Sequence, residues 1–337
     1  MKIGGQKMKR FFSMVLGITL LFTLVSCTKN DSRDSNSQEQ KEEEKGSSSE
    51  DEGEKIHMLT GKKVIFIGNS YVYWGKTVLN KDKALKELKY RQNDEGFFYQ
   101  LCKAMGAEVS VTNWTFGGHS VKELFNENCK YCNVDHKEYL TDRNYDYVIV
   151  SPGAESDFDN SMSKVINFFL DENPNTEFVI LGNQAAYGYS AYGDKVCYIK
   201  DLYQAYEDEG VRIADWGGMM DGILTQKYAV AGATQEYNKR TFIIPDNRHG
   251  TMLTGYIEAM FVYCVITGES AVGLPYDFCG NTKIRTEFDM EKFKAEHFTG
   301  TESTNFIQVF QSPSDMRGLQ MLIDRYMKEK PYRTDKE

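Results

Sequence analysis

The feature that most constrains this chain is a series of short, mostly apolar runs that alternate with helical segments. The runs are KKVIFIG (62–68), EVSVTNW (108–114), YDYVIVS (145–151), TEFVILG (176–182) and VRIADW (211–216). Short runs of continuous hydrophobicity are typical of parallel strands that are buried on both faces. We therefore predict one α/β domain, with three α/β/α layers around a mostly parallel five-stranded sheet.

The intervening segments have the spacing of amphipathic helices. They include DEGFFYQLCKAMGA, SVKELFNEN, SKVINFFLDE, KVCYIKDLYQAYEDEG, GYIEAMFVYCVITG and a final DMRGLQMLIDRYMKE. In the second of these, Ser120 and Glu123 have the spacing of a capping box, which predicts a helix start. Residues 80–92 are interpreted as an insertion near the first helix.

The N-terminal region is predicted to lie outside the fold. Residues 1–27 contain a basic head and the apolar run FFSMVLGITLLFTLV, and Leu-Val-Ser stands directly before Cys27. This pattern predicts export and resembles a bacterial lipoprotein signal, in which Cys27 would carry the lipid anchor. An ordinary signal peptide or an N-terminal membrane anchor is the alternative. Residues 28–56 are charged and almost free of apolar side chains, so we predict a disordered acidic linker before the domain at 57–337.

Charge restricts the classes of partner. The chain has a formal net charge of −9 at pH 7, and the segment 57–337 is itself net acidic. An acidic surface opposes binding to nucleic acid or to anionic lipid. We therefore expect a small-molecule or glycan substrate, no nucleic acid, and membrane contact only through the lipid on Cys27.

The cysteines leave several interpretations open. Cys102, Cys197 and Cys264 stand among apolar residues and are predicted to be plain core side chains. CKYCNVDH has half the spacing of a zinc site, and no second pair of ligands completes it. Cys129 and Cys132 therefore remain a disulfide, free thiols or part of a structural metal site. No metal or other cofactor is predicted to take part in chemistry.

Small and polar residues follow the predicted strands. Ligands of open parallel sheets bind beyond the carboxyl ends of the strands, so these residues are the candidates for a site. They are Gly68-Asn69-Ser70 after the first strand, Gly117-Gly118-His119-Ser120 after the second, 151–156 after the third and Gly182-Asn183-Gln184 after the fourth.

A serine, a histidine and an aspartate have the character of a catalytic triad. Ser70 follows a strand, and Asp246 and His249 stand three residues apart, so a carboxylate can orient the imidazole. Gly118 lies in a loop where backbone N–H groups can approach a substrate. Taken singly, these features are more typical of a turn, of a surface carboxylate with a satisfied histidine, and of a loop before a helix.

The order of these segments resembles that of the SGNH/GDSL hydrolase superfamily over about residues 57–330. The carrying residues are GNS at 68–70, the glycine loop with Gly118, and DNRH at 246–249 before a long apolar helix. The wider run from NSYVYW to GESAVGLP is similar to a bacterial branch that is classified as a domain of unknown function.

The resemblance implies a flavodoxin-like fold and a serine hydrolase of esters, often acetyl or other short acyl esters of carbohydrates. It implies that Ser70 is the nucleophile, His249 the base and Asp246 its partner. The backbone N–H groups of Ser70 and Gly118 would form the oxyanion hole.

One segment departs from the family pattern. Where the superfamily has an asparagine that donates to the oxyanion, DYVIVSPGAES offers Glu155. An ionised carboxylate accepts hydrogen bonds and donates none. Glu155 could be turned away while Asn183 or Gln184 supplies an amide, it could be protonated by burial, or the protein could be slow or inactive.

Five residues are candidates for substrate binding: Asn69, His119, Glu155, Asn183 and Gln184. A further set of aromatic residues could stack on a sugar ring, namely Tyr71, Tyr73, Trp74, Tyr187, Tyr189 and Tyr192. The predicted function is a surface-anchored serine esterase or deacetylase. The alternatives are a glycan-binding lipoprotein without activity and an acyltransferase that uses the same triad.

Overall fold

The computed structural model describes residues 56–73, 75–78, 91–92, 96–125, 136–153, 158–183, 200–244, 248–276 and 312–333. The predicted signal segment and all of the predicted linker except Ile56 lie outside these ranges. Their roles, including that of Cys27, stay predictions.

The sheet has six strands: β1 Lys63–Gly68, β2 Arg91–Gln92, β3 Ser110–Thr115, β4 Tyr147–Val150, β5 Glu177–Leu181 and β6 Arg212–Ala214. Their order across the sheet is β2-β3-β1-β4-β5-β6. All neighbours from β3 to β6 are parallel, and β2 pairs with β3 in the antiparallel direction. The five parallel strands therefore have the 2-1-3-4-5 order of flavodoxin-like folds, which confirms the predicted fold class.

The helices are α1 Ser70–Tyr73, α2 Phe97–Ala104, α3 Val121–Leu124, α4 His136–Tyr139, α5 Phe158–Leu170, α6 Tyr203–Asp208, α7 Trp216–Leu224, α8 Lys239–Phe242, α9 Met252–Thr267 and α10 Pro313–Glu329. The sequence patterns missed β2 and the four-residue helices α1, α4 and α8, because elements this short show no periodicity. They also missed the nine-residue helix α7. They also extended the fifth strand to Trp216, where α7 begins. Asp215 ends the strand because its side chain accepts a hydrogen bond from Gly218 N–H and caps α7.

Both faces of the sheet are covered. Alternate strand residues, such as Val64 and Phe66 of β1, join a buried cluster with side chains of α2, α7, α9 and α10. The intervening residues Ile65 and Ile67 are equally buried, and α3 and α5 pack together on that side. Burial on both faces explains why β1 reads as a continuous apolar run rather than an alternating one.

Helix α9 runs through the interior of the domain. Thr251 caps its start by accepting a hydrogen bond from Thr254 N–H, and Gly268 ends it in the left-handed conformation with φ 73°. Nearly every residue of α9 is buried, which explains its apolar sequence on all sides. In the described part of the chain, no helix is both long and apolar enough to cross a membrane.

The segment that follows α1 crosses the first turns of α9 in direct backbone contact. A methyl group added at Gly255 would lie 1.8 Å from the carbonyl oxygen of Gly75. One added at Gly75 would lie 2.7 Å from the carbonyl oxygen of Thr251. Only glycine permits this approach from either side, so the crossing determines how α1 lies relative to the start of α9.

Replacing Gly255 by alanine should therefore damage both stability and the site. Because the methyl group would meet backbone that cannot turn aside, we expect G255A to lower the free energy of unfolding by more than the roughly 3 kcal/mol upper end of ordinary overpacking. Chemical denaturation measures this. The matched control is G268A at the other end of α9, where an added methyl group has nothing within 4 Å and only the positive φ costs about 1–2 kcal/mol. Equal effects of the two changes would contradict the importance of the crossing.

A buried carboxyl group lies beside this crossing. The Thr77 hydroxyl lies 3.1 Å from Gly255 O and in a short hydrogen bond with Glu258 Oε2. One hydroxyl hydrogen cannot serve two acceptors, so the geometry fits a protonated Glu258 that donates to Thr77 while Thr77 donates to Gly255 O. Burial raises the pKa of Glu258 well above its usual value, against a smaller opposing effect of the Thr77 hydrogen bond.

This arrangement predicts a pH-dependent gain in stability from Glu258→Gln. At low pH the Glu258 carboxyl is protonated in both the folded and the unfolded chain, so its raised pKa does not lower the free energy of unfolding. The loss of stability grows as pH rises above about 4.5, its ordinary pKa. Glutamine keeps a donor for Thr77 and does not titrate, so the advantage of E258Q should grow by up to about 1.4 kcal/mol per pH unit.

Denaturation of both proteins across pH measures this difference. Glu207 provides the contrasting control. Partial burial acts to raise its pKa, but hydrogen bonds from Lys330 and Arg333 prevail and lower it. E207Q should therefore destabilise the protein at neutral pH, with a difference that shrinks as pH falls through the pKa of the folded state. A pH-independent effect of E258Q would show that Glu258 is not protonated in the fold.

Candidate active site

Ser70 lies at the carboxyl edge of the sheet, where β1 ends. A methyl group added at Gly68 would lie 2.9 Å from the Cβ of Ser151, the residue after the neighbouring strand β4. The close approach of the two strand ends thus requires glycine at position 68. Two residues later the chain turns into α1, and Ser70 is its first residue and half-buried.

His249 reaches the same edge from the loop between α8 and α9. Ile244 N–H donates to His249 O over 3.0 Å, and Thr251 N–H donates to Phe242 O over 2.9 Å. These bonds flank a bridge between Ile243 and Gly250 and hold the histidine in place just before α9. The His249 side chain is buried, with 9% of its surface exposed.

The two side chains are in hydrogen-bonding contact. His249 Nε2 lies 2.8 Å from Ser70 Oγ, although the residues are 179 positions apart in sequence. A neutral imidazole nitrogen at this distance can accept the hydroxyl proton, which is the geometry that a serine nucleophile requires. Asp246, the predicted third member, lies outside the described residues.

The glycine loop forms a tight turn beside Ser70. His119 N–H donates to Phe116 O over 3.2 Å, and Gly118 has φ 73°, the positive angle that the third position of a type II turn requires. The hydroxyl of Tyr73 occupies the space where a side chain at Gly117 would lie, at 2.6 Å from an added Cβ. The turn is therefore packed directly against α1.

Two predicted features of this loop are now located. The capping box is confirmed, since Glu123 N–H donates to Ser120 Oγ over 3.3 Å and Ser120 N–H donates to Glu123 Oε2 over 2.7 Å. His119 Nδ1 lies 2.9 Å from Gly117 O, so this nitrogen carries the hydrogen, because a carbonyl oxygen only accepts.

Both asparagines of the predicted binding set have partners within the protein. Asn69 Nδ2 donates to His119 O over 2.9 Å, and Tyr71 N–H donates to Asn69 Oδ1 over 3.1 Å. Asn183 Nδ2 donates to Gly153 O over 3.0 Å, and Ser151 Oγ donates to Asn183 Oδ1 over 2.8 Å.

Other members of the predicted set fall outside the described residues: Glu155, Gln184, Trp74, Tyr187, Tyr189 and Tyr192. Of the remaining aromatic candidates, Tyr71 lies with its ring centroid 6.0 Å from that of His249. Tyr73 contacts Gly117 as described above. Their contact with a sugar stays a prediction.

The described residues enclose a cavity of about 170 Å³ around Ser70 and His249. Its lining consists of Asn69, Ser70, Tyr71, Gly118, His119, Ser120, Glu123, Arg248 and His249. Arg248, a cation beside the candidate base, was not among the predicted site residues. Its position within DNRH, next to His249, was the signal that could have found it.

A larger cavity of about 410 Å³ lies between β6, α9 and α10, away from Ser70. Several of its charged groups are engaged with the protein itself. Glu207 is bonded to Lys330 and Arg333, and Arg212 donates to the carbonyl oxygens of Val265 and Ile266 at the end of α9. The chemistry of the smaller cavity, rather than the size of the larger one, therefore marks the candidate site.

The described residues contain no set of three His, Cys, Asp or Glu side chains that could hold a metal ion. His136 packs between the rings of Phe125 and Phe168, with centroids 4.9 and 5.0 Å away. Cys102 and Cys264 are buried free thiols, as predicted, and burial raises the pKa of both. Cys129, Cys132 and Cys197 lie outside the described residues.

No family model and no curated protein matches this chain. Solved structures with a similar arrangement include a catalytic mutant of an acetylxylan esterase from Geobacillus stearothermophilus (12% identity, TM-score 0.43, covering 62% of this chain and 96% of that one). A family 3 carbohydrate esterase from Clostridium thermocellum has 12% identity and a TM-score of 0.39, with coverages of 60% and 94%. A member of the lipolytic G-D-S-L family from Veillonella parvula has 14% identity and a TM-score of 0.37, with coverages of 61% and 98%.

The packing of Tyr73 on the glycine turn gives a prediction with a built-in rescue. G117A should destabilise the protein by about 1–3 kcal/mol, because the new methyl group overlaps the Tyr73 hydroxyl. Adding Y73F should recover most of that loss, since the nearest ring carbon of Tyr73 is 4.0 Å from the added Cβ. Denaturation of the wild type, both single variants and the double variant measures the coupling. Strictly additive effects would contradict the contact.

Proposed function

We propose that this protein is a serine hydrolase of esters that works through a covalent acyl-enzyme. The observation that carries the proposal is the 2.8 Å contact between Ser70 Oγ and His249 Nε2 at the carboxyl edge of a doubly wound sheet. The neighbouring glycine turn adds a second element, a backbone that can approach a substrate closely at Gly118.

In the proposed reaction, Ser70 Oγ attacks the ester carbonyl carbon as His249 Nε2 takes the hydroxyl proton. The carbonyl oxygen becomes an oxyanion, which the backbone N–H groups of Ser70 and Gly118 are proposed to bind. The tetrahedral intermediate collapses, the C–O bond to the alcohol breaks, and His249 gives that alcohol its proton. Water, deprotonated by His249, then attacks the acyl-enzyme and releases the acid and Ser70.

We propose a short acyl group, acetyl being the simplest, carried on a carbohydrate alcohol. The cavity of about 170 Å³ is smaller than the roughly 300 Å³ at which sites for drug-sized ligands begin, which supports a small acyl portion. A larger alcohol would extend outward from it. The names of two of the similar structures, an acetylxylan esterase and a family 3 carbohydrate esterase, indicate carbohydrate esters as the substrates of those proteins.

We further propose that the hydrolase acts outside the cell, held to a membrane by lipid on Cys27. The support for this is the sequence alone: the basic head, the apolar run and the Leu-Val-Ser-Cys junction of residues 1–27. The charged segment 28–56 would then act as a spacer between membrane and domain.

Substitution of Ser70 by alanine tests the proposed nucleophile. Hydrolysis of p-nitrophenyl acetate and of acetylated oligosaccharides by the full chain should fall on the order of 10⁶-fold in S70A. The folded state should persist, because Ser70 is half-buried and its hydroxyl is replaced only by a smaller group. Labelling by a serine-directed fluorophosphonate should disappear in parallel.

The matched control for this test is S120A, which removes a hydroxyl from the lining of the same cavity without touching His249. It should cost stability through the lost helix cap, by about 1 kcal/mol, while fluorophosphonate labelling persists. Undiminished hydrolysis in S70A would refute the nucleophile. A wild type inert to both esters and fluorophosphonate would refute the proposed activity as a whole.

A further inference from the structure

The side chain of Asn69 contacts the start of α1 and the loops after β3 and β4 at the carboxyl edge of the sheet. Its Nδ2 donates to His119 O in the loop after β3, and its Oδ1 accepts from Tyr71 N–H in α1. The same amide lies against the loop after β4, where a methyl group added at Gly153 would be 2.6 Å from Nδ2. Asn69 is 7% exposed, so these contacts are made away from bulk water.

The chemistry of the partners determines which way the amide is oriented. A backbone N–H such as that of Tyr71 only donates, and a carbonyl such as that of His119 only accepts. The side chain at position 69 must therefore present one acceptor and one donor. Asparagine does this at every pH, whereas an ionised aspartate of the same shape would place two acceptors face to face.

We propose that Asn69 is a positioning residue that holds the Gly118 N–H at the distance from Ser70 that the oxyanion requires. The proposal rests on the hydrolase function proposed above. Asn69 is adjacent to Ser70 in sequence, and its bond to His119 O anchors the residue that follows Gly118. Loss of this one bond frees the glycine turn to move away from the nucleophile.

The substitution that isolates this bond is Asn69→Asp. It keeps the shape and the acceptor for Tyr71 N–H, and when ionised it replaces the donor to His119 O by a negatively charged acceptor. Because the oxyanion exists only in the transition state, kcat should fall by about 10- to 100-fold while KM stays within about twofold.

The chain contains a matched control at the opposite edge of the sheet. Asn173, between α5 and β5, has the same arrangement: its Nδ2 donates to Tyr145 O over 3.0 Å and its Oδ1 accepts from Asn175 N–H over 3.0 Å. N173D makes the same chemical change far from Ser70. It should lower the melting temperature and leave kcat within about twofold of the wild type.

A pH profile separates positioning from a general structural effect. When the carboxyl introduced by N69D is protonated, it can donate to His119 O and restore the bond that holds the glycine turn, which we call the Asn69 clamp. The ratio of kcat in N69D to kcat in the wild type should therefore rise as pH falls. The titratable and charged groups that share the cavity, His119, Glu123, Arg248 and His249, are present in both proteins, so the ratio largely removes their own titration.

The experiment measures kcat and KM for p-nitrophenyl acetate from pH 5 to 9 with the full-length wild type, N69D and N173D, together with the melting temperature of each. A selective loss of kcat in N69D, with a ratio that recovers in acid, supports the clamp. A loss no larger than that of N173D, or a ratio that does not change with pH, overturns the clamp and leaves the hydrolase intact. A wild type without esterase activity overturns the hydrolase, and the clamp with it.

Discussion

The contact between Gly75 and Gly255 is the constraint on which the rest of the site depends. Ser70 begins the short helix that leads into Gly75, and His249 stands just before the helix that contains Gly255. The two segments touch through backbone, with 1.8 Å between the Gly75 oxygen and the place of a Gly255 side chain. This contact fixes α1 relative to the start of α9. The Ser70 hydroxyl and the His249 imidazole then lie 2.8 Å apart, although 179 positions separate them in sequence.

Buried polar groups reinforce this crossing rather than compete with it. Thr77 and Glu258 form a hydrogen-bonded pair beside Gly255, and burial raises the pKa of the carboxyl well above its usual value, which favours the uncharged form. At the sheet edge, Asn69 and Asn183 hold the loops with amides, which are neutral and both donate and accept. Among the described residues, the cavity lining around the nucleophile carries the ionisable side chains of His119, Glu123, Arg248 and His249.

Much of the fold was predictable because the pattern reflects burial directly. Strands β1, β4 and β5 read as nearly continuous apolar runs since both faces are covered, and α9 reads as apolar on every side since it runs through the interior. The capping box at Ser120 and Glu123 was readable because its two bonds are local. The short helices α1, α4 and α8 were not readable, since one helical turn has no period to detect. The whole of α7 was missed, because its sequence WGGMMDGIL contains three glycines, which are poor helix formers, and because an apolar strand runs directly into its cap at Asp215.

The sequence by itself determined the five parallel strands, their order along the chain and the residues that follow each of them. It could nominate Ser70, His249 and Gly118, because strand ends in a parallel sheet share one edge. Only the tertiary structure decided which of them meet. The Ser70–His249 contact depends on the backbone contact between Gly75 and Gly255, which no local sequence pattern predicts. It also gave Asn69 its partners. An asparagine after a strand looks like any turn residue until the carbonyl of His119 comes to lie 2.9 Å from its amide nitrogen.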